Sequence, residues 1–514
     1  MKRHFNLARN LVALVSLLSL IGGSYIAFTF IANNYALPPR LFMLKILKKV
    51  GMESSVITQA LTPPSLRSEA VVLPSLDKPG WQGHGAREDR KLAPVHYDFA
   101  GRPVPLSWIK ENDTSVSPEG ASRIVPVQNP KEFLLAFRQA LPGDIIILSP
   151  GTYAIKRRSI YVSSGGTLKQ PITVKAERLG DVFLELDSLE GFVVNYPYWI
   201  FENLDIKGVC NNDDDCEHAF HLVGEGHGFV LRNSRIHEFN SPIKANRFKI
   251  GDAPRIGPEG VLLEGNSFYN TRARQTNKPV SFIDVVGSNH FILSNNLIVD
   301  FQKAHEDHIS YGVQIKGNST HGVVEKNLVV CEYETTGGVR VGLSFGGGGT
   351  GRQFLEPGDV YEHSKGIVRN NIVMYCSDVG LYLNKAHETQ VFNNTFYATN
   401  GIDVRFPEST ALIVNNLLSG NIWDRNGGTS IRRNNLIRDI DGWPLSFRQG
   451  FKDWFVDPAV ADFGLKNGEE IVNKGEATSL IWEDFCGNQR NDMSDIGAIE
   501  YGISKPCRPL GDIE

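Results

Sequence analysis

The sequence lacks a strong excess of either charge, with 53 Lys and Arg against 57 Asp and Glu in 514 residues and a net charge of −4. This balance gives no indication of a nucleic-acid partner or of a disordered acidic tail. The sequence also lacks a Cys-x-x-Cys pair, and its glycine run FGGGGTG (345–351) lacks the Gly-Lys-Ser/Thr of a phosphate-binding loop. These absences argue against zinc-ribbon, thiol-redox and nucleotide-hydrolysing proteins.

The N-terminus carries the one long apolar run that we single out. Basic residues Lys2, Arg3 and Arg9 precede an uncharged stretch from Leu11 to Ala32 that is long enough to span a bilayer. We interpret residues 1–35 as an uncleaved signal anchor that holds the protein in a membrane with its bulk in the periplasm or outside the cell. A cleaved signal peptide remains the alternative.

Export allows the six cysteines to be interpreted as disulfides, because their number is even. Proximity along the chain predicts the pairs Cys210–Cys216, Cys331–Cys376 and Cys486–Cys507. Buried free thiols are the alternative.

Fifty glycines and short alternating apolar runs favour an all-β chain that is rich in turns. Prolines interrupt any periodic pattern over residues 36–125, which we interpret as a tether. From residue 126 onward an Asn before an apolar triplet recurs at intervals of 19 to 44 residues, most often 30 to 33, in segments such as ENLDI, NNLIV and NNTFY. One supersecondary unit per repeat indicates a solenoid.

The repeat predicts a right-handed parallel β-helix over 126–445 with a C-terminal extension of that helix over 446–514. Asn tolerates the left-handed backbone conformation, and its amide can bond to the Asn of the next coil. We therefore expect the repeated asparagines to form a structural ladder.

Three segments carry a resemblance to a known group of proteins. GDIIILSPGTYAI (143–155) and PITVKAERLGDVFLE (171–185) resemble the opening coils of pectate-lyase-like β-helix proteins, and DFCGNQRNDMSDIGAIEYG (484–502) resembles an ending found on many exported β-helix proteins. This resemblance implies the fold more than an activity.

A second resemblance suggests a site. LNKAHE (383–388), NNTFY (393–397) and DVRFPE (403–408) are similar to the strand ends of β-helix lyases that act on alginate and chondroitin chains. The resemblance implies that Lys385 is the base and that Arg405 assists it, in β-elimination of an acidic polysaccharide. A neighbouring cation would neutralise the substrate carboxylate and lower the pKa of the lysine.

The same resemblance implies further ligands. Strands of that branch carry two acidic residues that help to hold calcium; this sequence retains Asp378 but has Gly380 at the second position. Calcium is therefore implied through Asp378 alone. The residues that we predict to bind substrate are Lys316, Arg340, Arg352, His308, Tyr382 and Asn384.

Three alternatives remain open. Strand-end Lys and Arg residues of a solenoid are often solvated surface charges. An inverting hydrolase of the same fold would use two carboxylates, with Asp307 and Asp378 as candidates. A monomeric glycan-binding or structural envelope protein would show exposed aromatic rings along a groove.

Overall fold

The computed structural model describes residues 73, 75–76, 81–109, 122–248, 256–347, 350, 354–440, 450–491, 493–501 and 507–511. All of them belong to one compact unit, Ser65–Glu514. Among these residues no helix is both long and apolar enough to cross a membrane. The predicted signal anchor, residues 1–35, lies outside the described ranges.

Three long parallel sheets form the body of the molecule, and the chain visits them in turn, so that each complete coil contributes one strand to each sheet. Strands are numbered in chain order. Sheet 1 contains β3 (Arg123–Val127), β4 (Asp144–Leu148), β7 (Ile172–Ala176), β10 (Trp199–Glu202), β13 (Val230–Arg232), β16 (Leu262–Glu264), β19 (Ile292–Ser294), β23 (Val323–Glu325), β27 (Ile367–Arg369), β31 (Thr389–Phe392), β34 (Thr410–Val414) and β37 (Thr429–Arg433).

Sheets 2 and 3 complete each coil. Sheet 2 contains β5 (Gly151–Lys156), β8 (Val182–Asp187), β11 (Asp205–Gly208), β14 (Arg235–His237), β17 (Ser267–Tyr269), β20 (Leu297–Val299), β24 (Leu328–Val330), β28 (Ile372–Met374), β32 (Thr395–Tyr397), β35 (Leu417–Leu418) and β38 (Leu436–Ile437). Sheet 3 contains β6 (Ile160–Tyr161), β9 (Phe192–Val194), β12 (Phe220–Val223), β15 (Ile243–Asn246), β18 (Val280–Val286), β21 (Ile309–Lys316), β25 (Val339–Gly346), β29 (Leu381–Asn384), β33 (Gly401–Arg405) and β36 (Asn421–Arg425).

The remaining elements are short. A small parallel sheet joins β22 (Ser319–Thr320), β26 (His363–Ser364) and β30 (Ala386–His387), and two antiparallel pairs join β1 (His96–Tyr97) to β2 (Pro103–Val104) and β39 (Phe455–Asp457) to β40 (Asp462–Leu465). Within the described ranges the α-helices are α1 (Pro130–Arg138) and α2 (Phe451–Trp454), and the 3-10 helices are Leu106–Trp108, Asp213–Asp215 and Pro458–Val460.

An asparagine ladder runs through the turns between sheets 1 and 2. From Asn266 to Asn435, the side-chain amide of each ladder Asn donates to the carbonyl oxygen of the next at 2.9–3.0 Å. The ladder satisfies buried polar groups in every coil it crosses, as the repeat predicts. Its members are Asn266, Asn296, Asn327, Asn371, Asn394, Asn416 and Asn435.

In these coils the left-handed backbone conformation falls one residue before the ladder Asn. Asn295 (φ 58°), for example, precedes Asn296. Asn203 and Asn233 of the first two repeats stand at the left-handed position, with φ of 58° and 47°. Their Asn is therefore shifted by one residue relative to the later coils.

Apolar side chains of all three sheets fill the interior. Helix α1 closes its N-terminal end, where Phe137 packs against Trp199 with ring centroids 4.9 Å apart. Burying one such large side chain stabilises the fold by roughly 1.5–3 kcal/mol. Asn129 begins the helix because its side chain accepts hydrogen bonds from the backbone of Lys131 and Glu132.

The segments that flank the strands pack along the coils. Residues 81–109 fall within the predicted tether, yet they lie against the helix; the Arg87 backbone, for example, donates to Asn233 at 2.8 Å. Among the described residues, 450–511 add no strand to the three sheets. They pack beside the ladder, where Asn393 donates to the backbone oxygen of Asp495 at 2.9 Å.

All six cysteines are paired as proximity predicts, in Cys210–Cys216, Cys331–Cys376 and Cys486–Cys507. The disulfide prediction is confirmed.

Candidate functional site on the outer face of sheet 3

The outer face of sheet 3 carries a row of polar side chains because successive side chains along each strand point to opposite faces of the sheet. Ile283 and Val285 of β18, like Val313 and Ile315 of β21, point into the core. The residues between and after them therefore point outward. These outward residues are Asp284, Gln314 and Lys316.

The outward residues of neighbouring coils form a lysine–aspartate cluster, which consists of Lys244, Asp284 and Lys316. Lys244 on β15 lies beside Asp284 in the parallel register, and its Nζ is 2.5 Å from Oδ2 of that aspartate. Lys316 Nζ lies 3.3 Å from the other oxygen, Oδ1, and donates to Gln314 Oε1 at 2.7 Å. One carboxylate therefore holds two ammonium groups, and the cluster keeps a net positive charge.

Burial sets the electrostatics of this cluster. The side chains of Lys316 and Asp284 are only 12% and 10% exposed. Burial lowers the pKa of Lys316; Lys244 lowers it further, and Asp284 works against the shift. Burial opposes ionisation of Asp284, but the two neighbouring ammonium groups still hold the pKa of this carboxyl below its usual value. Lys316 therefore gives up its proton more readily than an ordinary lysine.

A second cluster, the tyrosine–arginine cluster, consists of Tyr382 and Asn384, two coils beyond Lys316, and Arg405, three coils beyond it. Asn384 and Arg405 are direct neighbours in the pairing of β29 with β33. The Tyr382 hydroxyl accepts from Asn384 at 3.0 Å and from Arg405 Nη1 at 3.1 Å. Two to three strand spacings separate these residues from Lys316, which is about 10–14 Å along the same face. The structure thus brings together three of the predicted site residues.

Asp378 lies half-buried next to this cluster, among charges from β33 and β36. Burial, followed by the neighbouring Asp403, raises the pKa of Asp378 to about 6. Asp403 itself is bonded to Arg425 through both of its carboxylate oxygens. Asp378 is therefore a carboxyl group that titrates near neutral pH.

Lys385 is directed elsewhere. It follows β29 at a corner, with φ of 56°, and its Nζ lies 3.2 Å from Glu408 Oε1. It lines a cavity of about 540 Å³ whose other walls include Glu356, Asp359 and Glu362. Lys385 pairs with Glu408, whereas Arg405 donates to Tyr382 and Asn426, and acidic groups surround the lysine.

The other predicted residues are scattered. Arg340 is fully buried, with Nη1 3.5 Å from Asp300 Oδ1, so its side chain does not extend the outer groove. Its placement follows from the need to pair a buried charge. His308 lies just before β21, at the opposite end of that strand from Lys316. Arg352 lies outside the described residues.

The residues on this face do not fit calcium. Calcium requires six to eight oxygen ligands, several of them carboxylates without a cationic partner. Asp284 already pairs with two ammonium groups, and Asp403 pairs with Arg425. Of these three carboxylates only Asp378, the predicted calcium ligand, remains for a metal ion. Within the described ranges no group of three or more His, Cys, Asp or Glu is placed to hold a metal ion.

Sequence reasoning missed Lys244 and Asp284. Both occupy outward positions of apolar strands, PIKAN and FIDVV, and this alternation was the available signal. Their pairing could not be found from the repeat, because 40 residues separate Lys244 from Asp284, whereas the next coil, from Asp284 to Gln314, spans 30 residues.

The coils, the ladder and the three parallel sheets define a parallel β-helix. No protein-family model matches the chain. The chain is 21% identical over 416 residues to pectate lyase L of Dickeya chrysanthemi, and the aligned region covers 72% of this chain and 86% of that protein. The crystal structure of pectate lyase Pel9A superposes with a TM-score of 0.51 at 14% identity, over 74% of this chain and 97% of that one. An alginate lyase from Paenibacillus sp. str. FPU-7 superposes with a TM-score of 0.34 at 14% identity, over 62% and 100%.

Proposed function

We propose that this protein is a polysaccharide lyase that cleaves a uronate-containing chain by β-elimination on the outer face of sheet 3. The observation that carries the proposal is the lysine–aspartate cluster. Elimination needs a base for the weakly acidic proton at C5 and a cation for the adjacent carboxylate. Lys316 and Lys244 offer these two functions side by side.

Lys316 is the base in this proposal. Its lowered pKa makes a neutral amine more accessible near neutral pH, and its small exposed fraction keeps water from competing. Lys244, with a side chain 21% exposed, supplies the ammonium that meets the substrate carboxylate. Asp284 orients both lysines through its two oxygens.

The tyrosine–arginine cluster serves as a second substrate contact. Arg405 is held by Tyr382 and by Asn426, to which its Nε donates at 3.2 Å. A guanidinium fixed in this way suits a carboxylate further along the same chain.

The step conserves atoms and charge. Lys316 Nζ takes the proton from C5, the electron pair forms the C4=C5 double bond, and the bond from C4 to the glycosidic oxygen breaks. The leaving oxygen takes a proton from solvent. The products are one chain with a new hydroxyl end and one with an unsaturated uronate.

The test is digestion of alginate, polygalacturonate and chondroitin sulfate by the full chain, with the unsaturated uronate followed by its ultraviolet absorbance. We expect product from at least one polymer and a loss of about 10²- to 10⁴-fold in Lys316→Met, the size of a general-base contribution. Lys385→Met is the matched control, and we expect it to keep activity within about threefold, given that its ion pair is exposed.

A loss in Lys385→Met alone would return the base to the position that the sequence resemblance implied. No unsaturated product from any polymer would contradict the lyase.

A hydrolase is the second candidate, because Asp378 has a pKa of about 6 that suits a general acid. It would release reducing ends without an unsaturated sugar. For a hydrolase, Asp378→Asn would abolish the reaction. For the proposed lyase, the same variant keeps the base, Lys316, and should keep activity.

We further propose that the protein works outside the cytoplasm. Three disulfides are expected in an oxidising compartment. The apolar run from Leu11 to Ala32 supports export and a membrane anchor. Fractionation of cells into membrane and soluble material tests the anchor.

A further inference from the structure

A second cavity opens on sheet 2, away from the row of charges on sheet 3. Its volume is about 620 Å³. Its floor is the outer face of β8, β11, β14 and β17, since Leu184, Ile206 and Ile236 point inward to the core. Glu88 and the turn that contains Arg178 and Asp181 form the rim.

Fixed ion pairs form part of the floor. Asp205 Oδ1 lies 3.0 Å from His237 Nε2, and Asp205 Oδ2 lies 3.8 Å from Arg235 Nη1. Arg235 also lies 3.3 Å from Glu88. These partners hold the floor in place, and they leave little unbalanced charge on it.

Two other charged side chains lie on the floor outside these ion pairs. Glu185 and Lys207 are neighbours in the parallel register of β8 and β11, and neither forms an ion pair or a side-chain hydrogen bond with another described residue. Nδ1 of the buried His237 also has no hydrogen-bond partner among the described atoms. Glu185 and Lys207 therefore present polar groups for a ligand to satisfy.

Aromatic rings lie beside these groups. Phe183 is 41% exposed on the cavity floor, although large apolar rings are normally buried. The His237 ring stacks on Tyr269 with centroids 4.7 Å apart and an angle of 9° between the planes. An exposed ring beside polar donors and acceptors suits a ligand with both apolar C–H faces and hydroxyl groups.

We propose that this cavity binds an uncharged oligosaccharide, separately from the uronate chain on sheet 3. Sugar hydroxyls would bond to Glu185 and Lys207, and a sugar ring would lie on Phe183. Charge favours a neutral ligand, because the four lining carboxylates outnumber the three lining Lys and Arg residues. These carboxylates are Glu88, Asp181, Glu185 and Asp205.

The test is calorimetric titration of the full chain with cellohexaose, xylohexaose, mannohexaose and β-1,4-galactohexaose, and with trigalacturonate as the acidic probe. We expect at least one neutral hexasaccharide to bind. Phe183→Ala should weaken that binding about five- to tenfold, the range for an aromatic contact. Glu185→Gln should also weaken it, and it alters neither size nor packing.

Phe99→Ala is the matched control, because Phe99 is an aromatic ring 83% exposed and does not line the cavity. We expect no change in that variant, nor in Lys316→Met on sheet 3. The proposal is overturned if no neutral hexasaccharide binds, if only trigalacturonate binds at this cavity, or if Phe183→Ala and Glu185→Gln leave the affinity unchanged.

Discussion

Asp378 offers a prediction whose size comes directly from its surroundings. Asp378 is half-buried beside Asp403, and its pKa is about 6 where an ordinary aspartate has 3.8. The folded state therefore binds the proton more tightly than the unfolded chain, so stability falls as pH rises from 3.8 to about 6. At 1.36 kcal/mol per pKa unit, the ionised carboxylate costs about 3 kcal/mol above that range. Asp378→Asn removes this cost, and we expect it to stabilise the protein by up to about 3 kcal/mol near pH 7.

The assay is urea unfolding of both proteins at about pH 7 and about pH 4, where the predicted gain shrinks to less than about 1 kcal/mol. Asp424→Asn is the control, since Asp424 pairs with Arg432 at the surface and contributes at most about 1 kcal/mol. An Asp378→Asn variant that is less stable at pH 7, or equally changed at both pH values, would refute the reasoning.

Four further predictions follow from other contacts. Asp284→Asn leaves two ammonium groups without their anion, and we expect it to lower the free energy of unfolding in urea by about 2–4 kcal/mol. Replacing all three members of the lysine–aspartate cluster by apolar residues should recover most of that loss. Because burial lowers the pKa of Lys316, kcat/KM on the uronate polymer should fall as pH drops through that lowered value and should reach its plateau below pH 10.5, the ordinary lysine pKa; a pH-independent rate would contradict the base assignment. Because Lys244, Lys316 and Arg425 already pair with Asp284 and Asp403, excess EDTA should change the lyase rate by less than about twofold, which corresponds to about 0.4 kcal/mol. Asn327→Ala removes a buried member of the ladder and should cost about 3–5 kcal/mol in urea unfolding, while Asn435→Ala, at the end of the ladder, should cost about 1 kcal/mol.

The fold follows closely from local sequence signals. The repeated Asn predicts the coils because each coil needs a polar bridge at the same turn, and Asn327 both accepts from Asn296 and donates to Asn371. The cysteine pairs could be predicted because their partners lie close along the chain or on neighbouring coils.

The site could be predicted only in part. Tyr382, Asn384 and Arg405 come together because strand register follows from coil length near the C-terminal end, where coils are 20 or 21 residues long. Lys385 stands one residue past its strand, and its left-handed φ turns it out of that row. Lys244 and Asp284 are separated by 40 residues because their coil contains an insertion, and no local pattern fixes the length of such an insertion.

The central claim is that the polymer is cleaved by elimination. The most direct measurement is mass spectrometry of the products formed in water labelled with heavy oxygen. The account predicts products without the label and with one chain end lighter by one water molecule, and it predicts that Lys316→Met suppresses them. Incorporation of heavy oxygen at the new reducing end would show hydrolysis and would contradict it.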